Sequence, residues 1–139
     1  MLVTDWMYCF LICTGAPINC RNARGSTPLI VATLAGQTAA VTKLLELKAN
    51  VNAASKRGAT ALACAASLAH ETIAKELIAH HAALDTIDRD WTTPLHRALV
   101  KRHTGIVHML IAAGAYLDLA DKYGRTALVS TLAAAALLA

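Results

Sequence analysis

A five-residue phrase returns four times at a fixed interval of 33 residues. It reads Gly25-Ser26-Thr27-Pro28-Leu29, Gly58-Ala59-Thr60-Ala61-Leu62, Trp91-Thr92-Thr93-Pro94-Leu95 and Gly124-Arg125-Thr126-Ala127-Leu128. Thr27, Thr60, Thr93 and Thr126 keep the spacing without insertion or deletion. A register held over most of the chain marks stacked copies of one supersecondary unit, each of which needs its neighbours to cover its apolar face.

The residues of one unit predict two helices. Thr60 is placed to cap a helix by accepting a bond from a free backbone N–H, and Ala61 favours the helix that follows. Pro28 and Pro94 stand at the first helical position of their copies, where a missing N–H costs nothing. Leu62, Ala65 and Ala66 then recur at helical spacing, followed by a second stripe of Ile73, Leu77 and Ile78. The neighbouring copies repeat this with Leu29, Ala32, Val41, Leu44 and Leu45, and with Leu95, Ala98, Val107, Leu110 and Ile111. An extended segment then leads into the next phrase. The predicted organisation is a single domain over residues 1–139. It has a partial unit at 6–21, full units at 22–54, 55–87 and 88–120, and a partial unit at 121–139.

Apolar residues make up 56% and charged residues 16% of the 139, which raises the question of a membrane. No uncharged run reaches the roughly 20 continuous apolar residues that a spanning helix needs. Residues 6–13 are apolar, but Asp5 precedes them without Lys or Arg, and a cut after Ala16 would leave Pro17 at the new terminus. Neither a membrane span nor a signal peptide is expected. The apolar content fits helices that bury one another. Cys9, Cys13, Cys20 and Cys64 form no paired framework and read as small buried thiols, so a reducing, cytoplasmic or nuclear compartment is expected.

Thr93-Pro94-Leu95-His96 and the Gly-Ala-x-aliphatic-Asp ending at Gly114-Ala115-Tyr116-Leu117-Asp118 resemble the ankyrin repeat. The resemblance runs from about residue 6 to 139. It implies an all-α solenoid of helix-turn-helix units joined by β-hairpin-like loops. There are departures. Lys48 and His81 stand where Gly114 follows a second helix, Ala69 and Arg102 where Gly36 follows a first helix, and Trp91 where Gly25, Gly58 and Gly124 form the turn. A side chain where the backbone turns left-handed costs about 1 kcal/mol relative to glycine.

Six histidines raise the question of a metal or a catalytic base. His70 and His103 occupy one repeat position, His80 and His81 end a second helix, and His96 belongs to the phrase; His103 and His108 are five apart and do not share a helical face. Each has a structural reading, and no metal site or cofactor is expected. No phosphate-binding glycine loop, His-Glu-x-x-His or Gly-x-Ser-x-Gly is present. Asp88, Asp90 and Asp121 lie at turns, where an aspartate bonds nearby backbone. No catalytic residue is assigned and no small-molecule substrate is expected.

The resemblance implies a protein-binding scaffold whose hairpin tips and first helices line a concave surface. The tip positions carried over are Arg24, Ser26, Lys56, Arg57, Arg89, Asp90, Trp91, Thr92, Lys122, Tyr123 and Arg125, with Lys101, Leu34, Ser67, Leu68 and Val100 on the first helices. With Arg21, seven of the 13 basic residues fall in these turns, beside two aromatic rings. One reading is a groove selecting an acidic peptide or protein surface with Trp91 as anchor. The other is a solvated, mildly basic edge that keeps the array soluble. A net charge of +4 without a groove-reading helix argues against nucleic acid. The resemblance also carries an asparagine-hydroxylation motif onto Asn19 and Asn52, each behind an aliphatic residue, although Pro17 and Asn50 replace its usual acidic neighbour. The plainer role for both is a bond across the hairpin loops.

The apolar residues 6–12 and 132–139 differ from the polar outer faces that close such arrays. They are expected to belong to a longer array, of which this chain would be an excerpt, the alternative being faces that pack on something outside this chain. Two rivals to a free-standing scaffold follow: a regulatory or targeting segment of a larger enzyme, and an array that self-associates through its ends. Oligomeric state is left open.

Overall fold

The computed structural model describes residues 17–126 and 129. Of the half-units expected over residues 6–21 and 121–139, residues 6–16 and 127–139 therefore lie outside the described residues, Val129 excepted, as do Cys9 and Cys13.

Three of the phrase threonines begin helices as their spacing predicts. Thr27, Thr60 and Thr93 stand in extended backbone, and their hydroxyls accept from the N–H groups of Ile30, Ala63 and His96 at 3.4, 3.3 and 3.2 Å. The helices so capped are α1 (Pro28–Leu34), α3 (Ala61–Leu68) and α5 (Pro94–Val100). Each turns back into a second helix: α2 (Thr38–Glu46), α4 (Glu71–Ala79) and α6 (Thr104–Ala113). Apart from two isolated antiparallel bridges, Ala54 with Thr60 and Ala120 with Thr126, the described residues form no strand. The fold is all-α.

Within a unit the two helices pack on each other; between units α1, α3 and α5 form one tier and α2, α4 and α6 another. Repeat-equivalent residues meet in columns, so Leu29, Leu62 and Leu95 are all buried, as are Leu44, Leu77 and Leu110. Ala61, Ala65, Ala66 and Ala98 are fully buried, and their short side chains let the first helices lie close. The high apolar content of the chain goes into these columns.

Between elements the backbone turns left-handed once per bend. Gly36, Ala69 and Arg102 follow the first helices with φ of 70, 60 and 60°. Lys48, His81 and Gly114 follow the second helices with φ of 67, 62 and 98°. The stacking register holds these bends even where a side chain disfavours them. Gly58 is required twice over: its φ is +80°, and a Cβ there would lie 2.9 Å from the Asp88 Cα.

Candidate functional site: the hairpin tips and the clefts beside them

Every described tip opens on a polar residue, and these openers are themselves 33 apart. The Asn22 Oδ1 accepts from the N–H groups of Arg24 and Ser26 at 2.9 and 3.0 Å. Ser55 Oγ accepts from Ala59 at 3.3 Å. Asp88 Oδ1 accepts from Asp90 and Thr92 at 2.8 and 3.0 Å, and Asp121 Oδ1 from Tyr123 and Arg125 at 2.9 and 3.0 Å. The aspartates thus bond turn backbone as expected. The shared role of Asn22 and Ser55 is found only by laying the units over one another.

Adjacent tips are also joined through the main chain. The N–H of Lys56 donates to Arg24 O, that of Arg89 to Arg57 O, and that of Lys122 to Asp90 O, at 3.1, 3.1 and 3.2 Å. The tips form one bonded row. At the opposite ends of the loops, Asn19 Oδ1 accepts from Asn50 N–H at 2.8 Å and Asn52 Oδ1 from Ala83 N–H at 2.7 Å. Asp85 repeats this with Tyr116 at 2.9 Å. The asparagines bridge successive loops, and Asn19 and Asn52 remain exposed.

The remaining carboxylate oxygens divide the tip cations into two groups. Asp88 Oδ2 accepts from Thr92 Oγ1 at 2.6 Å and pairs with Arg97. Asp121 Oδ2 pairs with its own tip's Arg125 at 2.8 Å. Burial pushes the Asp88 carboxyl up, but the bonds from Thr92 and Arg97 outweigh it and hold the group below the usual carboxylate range. Asp121 is lowered in the same way, burial being outweighed by bonds from Arg125 and Tyr123. Asp90 Oδ1 takes Lys122 Nζ at 2.6 Å, and that bond holds the ammonium above the usual lysine range. Lys122 and Arg125 also stand over the Tyr123 ring, 5.1 and 4.9 Å from its centre. Arg24, Lys56, Arg57 and Arg89 have no carboxylate within ion-pair distance among the described residues.

Two open clefts run between tips and first helices. One, of about 320 Å³, is lined by Asp90, Thr92, Lys122, Tyr123 and Arg125 from the tips and by His96, Arg97, Val100 and Lys101 from α5, with Ser67 of α3. The other, of about 310 Å³, lies between Asn22, Ala23, Arg24 and Ser26 and the Val31 and Leu34 side of α1. Asp90, Thr92, Lys101, Lys122, Tyr123 and Arg125 thus come together around one cleft, and Arg24 and Ser26 around the second. Ser26 departs from the exposed tip position expected of it: it is only 6% exposed, because it sits directly before the cap residue Thr27 under the closed turn. Lys56, Arg57, Arg89 and Trp91 line neither cleft and stand exposed along the row. Trp91 is 60% exposed with φ +59°.

The histidines take local duties. His96 Nδ1 accepts the Thr93 N–H at 3.3 Å while its Nε2 reaches Arg125 O at 3.0 Å, tying α5 to the following tip. His103 Nδ1 meets Ala66 O at 2.9 Å and links α6 to the preceding unit. His80 and His81 close α4, exposed. Cys64 is buried, and burial pushes its thiol up against the lowering effect of Arg97. Among the described residues no three His, Cys, Asp or Glu side chains converge as a metal site, and no helix is long and apolar enough to cross a membrane.

Against known families, residues 5–88 match a model of ankyrin repeats in three copies and residues 90–122 match the ankyrin repeat. The chain belongs to the ankyrin-repeat family. Its tips are therefore ankyrin hairpins and its two tiers the inner and outer ankyrin helices. Ankyrin repeats are generally protein–protein interaction modules, and proteins built of them are typically non-enzymatic. No curated protein matches this chain.

Proposed function

We propose that this ankyrin array is a non-catalytic scaffold that binds a partner protein or acidic peptide on its tip and first-helix surface. The observation carrying this reading is the exposed row itself. Four exposed cations without acidic partners among the described residues share this row with Trp91, and apolar Leu34 and Val100 are 49% and 66% exposed in the adjoining clefts. Exposed aromatic and arginine side chains on a rigid frame are the residue types that dominate binding energy at interfaces. The bonded tips need little ordering, which reduces the entropy lost on association.

The test is capture and crosslinking from cytosol with wild-type protein beside Trp91→Ala, Arg57→Ala and Arg89→Ala. The expected result is a specific crosslinked protein whose recovery falls at least ten-fold in the triple variant, as loss of a hot spot of about 2 kcal/mol would give. Equal recovery of every crosslinked protein would exclude this face. Asn19 and Asn52 stay candidates for hydroxylation through the family resemblance. Mass spectrometry of the chain isolated from cells checks it through a 16 Da gain on either peptide, an added oxygen of about one atom.

A further inference from the structure

The four cations left without a carboxylate partner among the described residues are not scattered along the row. Each belongs to a junction between two tips, and the main-chain bond across that junction sets its neighbour beside it. Arg24 lies next to Lys56 through the 3.1 Å bond of the first junction, and Arg57 next to Arg89 through the 3.1 Å bond of the second. At the third junction the equivalent residues are Asp90 and Lys122, which neutralise each other at 2.6 Å. The same backbone geometry thus yields two like-charged pairs and then an internal ion pair. Like charges held side by side raise the local potential and favour an anion between them.

Resting on the proposed scaffold reading, we infer that the row reads spacing: it takes an extended peptide bearing two acidic side chains three residues apart, and Asp90 ends that register. Successive packed helices lie about 8–10 Å apart, and an extended chain in the polyproline-II form advances about 3.1 Å per residue with three residues per turn, so its i and i+3 side chains share one side. One repeat therefore corresponds to about three residues of an extended ligand. An acidic side chain at one junction places the i+3 side chain at the next. Residues between them stand over α3, which ends on the exposed Leu68, with Leu34 and Val100 exposed on the first helices to either side. A third acidic group at i+6 meets Asp90, whose carboxylate already occupies Lys122. A peptide covers both the charge and these apolar side chains, whereas a polyphosphate chain leaves the apolar side chains bare and meets Asp90 unfavourably.

The experiment uses the full chain and three fluorescent ten-residue peptides: two aspartates at i and i+3, the same composition with the aspartates adjacent, and three at i, i+3 and i+6. Anisotropy is read at low salt and again at about 1 M, where screening acts within about 3 Å. The i,i+3 peptide is expected to bind about ten-fold tighter than the adjacent one, with the preference lost at high salt and in Arg57→Ala/Arg89→Ala. Asp90→Asn, which frees Lys122, is expected to raise affinity for the three-aspartate peptide about five-fold over wild type and to raise that for the i,i+3 peptide less. Circular dichroism of each variant checks that the helices persist. Equal binding of both two-aspartate spacings, weakened alike by Arg57→Ala/Arg89→Ala, overturns the register while keeping the row as the binding face. Absence of binding to any peptide overturns the acidic preference and the register together. Displacement of the peptide by a single-stranded oligonucleotide of equal charge at equal concentration overturns it in favour of a general polyanion surface.

Discussion

Trp91 combines two properties that rarely meet in one residue. Its backbone is left-handed at φ +59°, where the equivalent positions are Gly25, Gly58 and Gly124, and its ring is 60% exposed. The strain gains nothing from burial, so Trp91→Gly is expected to raise stability by about 1 kcal/mol in urea unfolding. The same change removes the proposed anchor and is expected to weaken partner binding at least ten-fold. A variant that loses stability shows that the indole packs usefully in the folded state; one that binds normally removes Trp91 from the interface. Lys48, His81, Ala69 and Arg102 share the strained backbone without the aromatic ring, and glycine at Lys48 or His81 is expected to stabilise without touching binding. These five positions are where reading the sequence worked best, because a left-handed bend needed by every copy shows as glycine in some and as a departure in others. Side-chain partnerships were harder to read. Asp88 meets Arg97 nine residues away and Asp90 meets Lys122 thirty-two residues away. Neither pairing follows from a local pattern, so the division of the tip cations into satisfied and free was hidden.

Among the turns, the acidic openers behave differently from the neutral ones. Asn22 and Ser55 accept backbone N–H groups without charge, whereas Asp88 and Asp121 add an ion pair to the same bonds. Asp88→Asn keeps an acceptor of the kind Asn22 provides and loses mainly the Arg97 partnership. Its expected cost is about 1–2 kcal/mol at neutral pH. Because both carboxyls are lowered in the folded chain, their contribution is fully present above the unfolded value near 4 and is lost as pH falls through the lower folded values. Urea midpoints are therefore expected to stay level from about pH 7 to 5 and drop below about pH 4, with a shallower drop in Asp88→Asn/Asp121→Asn. An unchanged acid limb in that double variant would assign the acid sensitivity elsewhere. The helices themselves were read correctly from caps and spacing, since Thr60-Ala61 and Thr93-Pro94 are local signals whose partners lie within one turn.

The array is quasi-one-dimensional: among the described residues each unit packs chiefly on its neighbours, through two helical tiers, the tip row and the loop bridges of Asn19, Asn52 and Asp85. Such a chain of contacts makes the two-tier architecture recoverable from a 33-residue period alone. The surface chemistry of the tips is not recoverable in that way, because the period constrains backbone and leaves side chains free to vary. The tip amides give a direct measure of how firmly the row is knit. Lys56, Arg89 and Lys122 are exposed residues whose N–H groups are all engaged across a junction. Their amide exchange is expected to be at least ten-fold slower than that of Arg57 after correction for local sequence, because the Asp90 and Tyr123 amides are themselves bonded to Asp88 and Asp121, while fraying at the row alone would equalise them.

Those stitches from one fingertip to the next carry a mechanical meaning. A load applied to a single tip by a bound molecule is shared along the seam instead of bending one loop away from its helices. Loosening one stitch then weakens the hold of the tips on either side, so damage to the grip spreads farther than the altered residue.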